Sequence, residues 1–160
     1  MSAPVGLDRQ DIRILALLQD DASRPVAEVA EQVNLSQNAC WRRIKRLEEE
    51  GFIARRVALL DPAKLGVGVT VFVTVRTAEH TEEWLEGFSA AVRRIPEVME
   101  FHRMSGDIDY LLKLRVADIA DYDAVYKRLI RAAKLTDVSS MFAMETIKST
   151  TAIPLPVSNR

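Results

Sequence analysis

Between Ser36 and Leu47 the chain gathers side chains that can read and grip a polyanion: Gln37, Asn38, Trp41, Arg42, Arg43, Lys45 and Arg46. Gln37 and Asn38 are short and carry both donors and acceptors, which suits base edges such as adenine. Arg42 and Lys45 can reach guanine. The Ser36 hydroxyl and the free amides at a helix start can meet a phosphate. Arg43 and Arg46 can either grip phosphate or pair with a nearby carboxylate, and Trp41 can either pack at the domain surface or contact DNA. Cys40, Ile44 and Leu47, at i, i+4 and i+7, supply the apolar seam on the inner side of the same helix. Cys40 is therefore read as core, with a redox-active thiol as the alternative.

Such a helix has to be presented by others. Val26, Val29, Ala30 and Val33 repeat at helical spacing just before it. Asn34 can take the left-handed conformation that closes that helix, and Ser36 caps the next. This corner has the layout of a helix-turn-helix whose second helix enters the major groove. Upstream, Asp8 with Asp11 resembles a capping arrangement ahead of Ile14, Leu15 and Leu18. Pro25 suits the first turn of the second helix. The third helix is expected from Ser36 to about Glu50, stopping at Gly51. A three-helix unit this small is marginal alone, so the remainder of the chain or a partner should support it.

Residues 52–60 are β-prone, with Ile53, Val57 and Leu59 sharing a parity, and Asp61-Pro62 breaks this linking strand. From Val67 the pattern becomes strand, helix, strand, strand, helix, strand. Val69, Val71, Val73 and Val75 alternate along the first strand. Thr81 can cap a helix with the stripe Trp84, Leu85, Phe88, Val92 and Ile95, ended by Pro96. Val98 to Met104 and Tyr110 to Val116 read as the next two strands. Asp118 can cap a helix with Ile119, Tyr122, Tyr126 and Leu129 inward, and Val138 to about Lys148 reads as the last strand. The expected class is α+β: a three-helix helix-turn-helix domain with its trailing strand over 1–60, a linker over 61–66, and a ferredoxin-like βαββαβ sandwich over 67–160. Phe72, Met99, Phe101 and Leu111 suit an exposed sheet face poorly, so self-association through the sheet is expected. Residues from about Leu155 are expected to be loose.

Composition narrows the function classes. The chain has 160 residues, 48% of them apolar, a net charge of -1 and one cysteine. One domain or two small ones fit this length. No apolar run approaches the roughly 20 residues of a membrane span, so no membrane partner is expected. The opening residues lack a basic-then-apolar leader, and a lone cysteine suits a reducing compartment, so the cytoplasm is expected. His80 and His102 lie in different elements, and no metal spacing or phosphate-cradling glycine loop is present. Catalysis, a metal or a cofactor is therefore not expected. A competing class is a metabolite-binding or enzymatic ferredoxin-like domain whose helical head contacts proteins. Such a protein would not need the basic helix.

Two further sets of residues carry a family likeness. The first is Leu7-Asp8, Asp11, Ile14-Leu15, Leu18-Gln19, Asp21-Ala22, Glu28-Val29-Ala30, Leu35-Ser36, Arg43-Ile44, Arg46-Leu47-Glu48, Gly51 and Ile53. The second is the run Ser105-Gly106-Asp107-Ile108-Asp109-Tyr110-Leu111-Leu112-Lys113. In order and spacing, Leu7 to about Leu155 resembles the Lrp/AsnC family, the feast/famine regulators. Pro25 departs from it, standing where many members carry a Ser or Thr cap. The resemblance implies a regulator that binds double-stranded DNA as a homodimer, assembling further and often to octamers. It also implies a small amino-acid effector bound where dimers meet. Cys40-Trp41-Arg42-Arg43-Ile44, Val57-Ala58-Leu59-Leu60-Asp61-Pro62 and Phe142-Ala143-Met144-Glu145 look closest to a cysteine-responsive subgroup. Cysteine is thus the first effector expected, with leucine and other small amino acids next.

For that effector the loop Ser105–Asp109, flanked by Met104 and Tyr110, offers backbone N–H groups to a carboxylate. Asp107 or Asp109 can accept an ammonium, and Ser139 and Ser140 can complete a polar rim. Gly106 can equally serve only the turn, and Asp109 can equally cap only local amides.

Overall fold

The computed structural model describes residues 6–156. It divides into two compact units, one up to Ala58 together with the segment from Lys148, and one over Leu59–Ile147. The first contains helices α1 (Arg9–Asp20), α2 (Val26–Gln32) and α3 (Gln37–Glu49). The second contains strands β1 (Val69–Arg76), β2 (Val98–Arg103), β3 (Tyr110–Val116) and β4 (Asp137–Phe142), with helices α4 (Glu82–Val92) and α5 (Ile119–Ala132).

In the helical unit local chemistry sets every element end. Asp8 caps α1, accepting from the amides of Gln10 and Asp11 while the Asp11 carboxylate accepts from the Asp8 amide. Pro25 sits at the N-cap of α2 rather than in its first turn, with extended ψ and no side-chain cap. Asn34 takes φ 55°. The Leu35 amide then reaches back to the Ala30 carbonyl and the Asn34 amide to that of Glu31. This paired closure satisfies the carbonyls that end α2 and turns the chain into α3. Ser36 caps α3 through the Ala39 amide, and Gly51 leaves it at φ 79°. Ile14, Val29, Val33, Cys40 and Leu47 are fully buried between the three helices.

Two expectations for this unit change. Residues 52–60 are in no strand and pair with none among the described residues, and Val57, Leu59 and Leu60 are exposed. Of the residues expected to be loose, Leu155 is instead held in the helical unit, and 157–160 lie outside the described residues. The Gln19 side-chain amide donates to the Ile153 carbonyl and accepts from its amide. Leu155 packs against the helical core.

In the second unit the antiparallel sheet has the order β2-β3-β1-β4. Val71, Val73 and Val75 of β1 and Leu112 and Leu114 of β3 meet Phe88, Val92, Val125 and Leu129 of the two helices. Thr81 caps α4 and Asp118 caps α5, as their spacing predicts. Three expectations are corrected. Phe101 is not on the helix-free face: a bulge between Val98 and Glu100 shifts the register by one residue. That shift flips the parity of the strand, so Phe101 packs edge-on to Phe88 beside Tyr110. Ile119 is 73% exposed. It is the first residue of α5 and its Cβ leans back toward the cap, leaving Val125 to fill the inner stripe. Finally, β4 ends at Phe142, six residues before Lys148, because the Ala143 amide bonds Thr70 and β1 begins at Val69.

The helical core predicts its own test. Leu47→Ala should destabilise the helical unit by about 2–5 kcal/mol, read as a lowered urea midpoint by circular dichroism.

Candidate nucleic-acid interface

The seam and the cap fix which side of α3 faces outward. With Cys40, Ile44 and Leu47 buried, Gln37, Asn38, Trp41, Arg42 and Lys45 are exposed on the other side. This places the predicted base-reading groups together, near the start of the helix where backbone amides are unpaired. Trp41 is 51% exposed, so it lies on this surface rather than in the core. Ser36 is exposed at the cap. Burial pushes the Cys40 thiol pKa up, only partly offset by Arg43, so the sulfur stays protonated at neutral pH.

The cations differ sharply in their surroundings. One Arg43 Nη lies 2.6 Å from Asp8 and 2.8 Å from Asp11, and an Arg46 Nη lies 2.6 Å from Asp11. Lys45 lies 3.1 Å from Glu48, which also holds Arg56 at 3.0 Å. Of the four cations clustered from Arg42 to Arg46, Arg42 alone has no carboxylate partner among the described residues. The sequence left Arg43 and Arg46 open between phosphate and carboxylate, and both are paired with carboxylates here. By sequence, Asp11 reads only as a cap. Its burial could have been suspected from its spacing, since it stands at i, i+3 and i+7 with Ile14 and Leu18.

The loop proposed for an effector is less gathered. Gly106 has φ 114°, a conformation that requires glycine. Asp109 lies 2.8 Å from the Thr77 amide through one carboxylate oxygen, and His80 stands 3.9 Å from the other. Tyr110 is buried in the aromatic cluster with Trp84, Phe88 and Phe101. Met104, Ser105 and Asp107 are exposed on the loop. Strand alternation sends Ser139 and Ser140 to opposite faces: Ser140 bonds the Tyr122 hydroxyl on the helix side, while Ser139 is exposed. Among the described residues no group of three His, Cys, Asp or Glu is placed to hold a metal ion. No helix among them is long and apolar enough to cross a membrane.

Comparison with known proteins agrees with this arrangement. Residues 7–54 match the model of a winged helix-turn-helix DNA-binding domain, and residues 70–153 match the Lrp/AsnC ligand binding domain. The chain is 57% identical to the glutamate uptake regulatory protein of Zymomonas mobilis, covering 94% of this chain and 92% of that one. It is 48% identical to the DNA-binding transcriptional activator DecR of Escherichia coli, covering 93% and 99% respectively. Among solved structures it resembles a Neisseria meningitidis transcriptional regulator crystallised with L-Met. That match has a TM-score of 0.88 and 34% identity, and covers 92% of this chain and 96% of the other.

The Asp8 site carries a pH dependence. Partial burial pushes its carboxyl up, but the Asp11 amide, the Arg43 guanidinium and the Gln10 amide outweigh this and hold it below 3.8. A carboxyl with a lowered folded pKa contributes stability that is complete above its unfolded value and lost as pH falls through the folded one. Asp8→Asn, which keeps a capping oxygen, should therefore flatten the fall in urea midpoint below about pH 4 relative to the unchanged chain.

Proposed function

Since the chain belongs to the Lrp/AsnC family of DNA-binding transcriptional regulators, we propose that it reads its operators through Gln37, Asn38 and Arg42 under the control of a small amino acid. It is a regulator of amino-acid metabolism, not an enzyme, and its family works as oligomers on duplex DNA. The exposed, carboxylate-free Arg42 beside Gln37 and Asn38 carries the assignment of base reading. Ser36 and the first amides of α3 fit phosphate contacts, and Lys45 and Trp41 flank the reading surface. One such helix contacts too few bases for operator-level specificity, so two heads of a dimer read two half-sites. The site of action is the cytoplasm.

The second unit is the sensor. Its helix-free sheet face carries Phe72, Leu111 and the exposed Met141, which self-association would bury. Dimers formed there assemble further, to an octamer in this reading. The exposed loop around Ser105–Asp107 supplies amides for the ligand's carboxylate, and Asp107 is the anion for its ammonium. Ser139 extends the rim, while Ser140 serves α5. Cysteine is the first ligand, from the likeness of Cys40–Ile44 and Val57–Pro62. Leucine, and methionine in view of the L-Met complex of the Neisseria regulator, come next. The ligand acts by preferring one quaternary arrangement, and it shifts that equilibrium only by its difference in affinity.

Two measurements test this. Arg42→Ala should cost about 1–3 kcal/mol on operator DNA and much less on random DNA, by fluorescence anisotropy. Equal losses on both would remove Arg42 from base reading. In a thermal-shift screen of the twenty amino acids, one should raise the melting temperature and change DNA affinity, with DNA changing the affinity for that amino acid by the same factor. A flat screen would reject amino-acid sensing.

A further inference from the structure

Resting on the DNA-binding reading above, we propose that Asp11 sets the sequence specificity of the head. With Asp8 it withholds Arg43 and Arg46 from the phosphate backbone. Asp11 touches no DNA. It is a positioning residue that acts from beneath the reading helix.

The arrangement is asymmetric. The Asp11 side chain is 1% exposed, whereas those of Arg43 and Arg46 are 31% and 41% exposed. A buried anion thus balances cations that reach the surface. Both Asp11 oxygens are engaged, one with Arg43 and the other with Arg46 and the Asp8 amide. Asp8, Asp11, Arg43 and Arg46 together carry no net charge. The two guanidiniums border a shallow depression together with Asp8, Leu35, Ala39 and Arg42. They therefore reach the same surface as the reading helix with their charge already matched.

This compensation bears on specificity directly. Binding to arbitrary DNA comes almost wholly from phosphates neutralised and counterions released, and it grows with each free cation. Contacts to base edges do not depend on that count. Holding two cations against carboxylates lowers affinity for arbitrary sequences while Gln37, Asn38 and Arg42 still read bases. The ratio of specific to non-specific binding rises accordingly.

The test titrates salt against binding of the full-length protein to a random-sequence duplex by fluorescence anisotropy. Asp11→Asn removes the charge and keeps one acceptor. Because Asp8 still holds Arg43, this variant leaves one uncompensated cation per head and should steepen the slope of log K against log salt by about 0.9 per head. Random-DNA affinity at about 50 mM salt should rise about tenfold or more. Asp8→Asn lies at an exposed cap and touches only Arg43 among the cations, so it decides the matter if the buried variant does not fold. It should add about 0.9 per head. Adding Arg46→Gln to Asp11→Asn leaves only the neutral Asp8–Arg43 pair and should return most of the increment, a reversal that simple loss of structure would not give. An unchanged or shallower slope in the folded variants overturns the proposal. Failure of the unaltered protein to bind any duplex would instead overturn the reading on which it rests.

Discussion

The Asp11 carboxylate is the point on which the helical unit turns. It closes the cap of α1 by accepting the Asp8 amide, and it holds both Arg43 and Arg46 of α3. A carboxylate taken from water is tolerated only when charge and hydrogen bonds replace the lost hydration, and here both oxygens are occupied. Together with the seam of Cys40, Ile44 and Leu47, these ion pairs fix the rotation of α3 about its own axis. The side that carries Gln37, Asn38 and Arg42 is outward for that reason.

The features legible in the sequence are those decided within a few residues. Asn34 turning left-handed, Ser36 capping and Gly51 stopping α3 each follow from one side chain and its immediate backbone. The valines of β1 alternate because one sheet face is buried and the period is two. The rest depends on residues far apart in the chain. Arg43 and Arg46 meet Asp11 across 32 and 35 residues, which no local pattern announces. The bulge before Glu100 is likewise invisible to parity, and it alone moves Phe101 from the open face into the aromatic cluster. The end of β4 was set by where β1 begins.

The sensing half was less legible for a related reason. A loop with Gly106, Asp107 and Asp109 has the composition of a ligand site and of an ordinary turn alike. In the fold Asp109 lies 2.8 Å from the Thr77 amide and the Asp109 amide bonds Val75, so this residue ties the loop to the end of β1. Tyr110 belongs to the core, and Ser140 to the underside of α5. The groups left free are Ser105, Asp107 and loop amides, few for one small zwitterion. That scarcity suits a pocket completed by another subunit.

The return of the segment after Thr150 to the helical unit has a practical meaning. Gln19 clasps the Ile153 backbone as a neighbouring strand would, and Leu155 fills part of the apolar base of that unit. The unit is therefore not a contiguous stretch of chain. Excising residues up to Ala58 yields a fragment that lacks Leu155 and opens the depression lined by Leu15 and Leu18 to water. Work on an isolated DNA-binding fragment should graft the segment 148–156 back on, because its solubility depends on residues encoded nearly a hundred positions downstream.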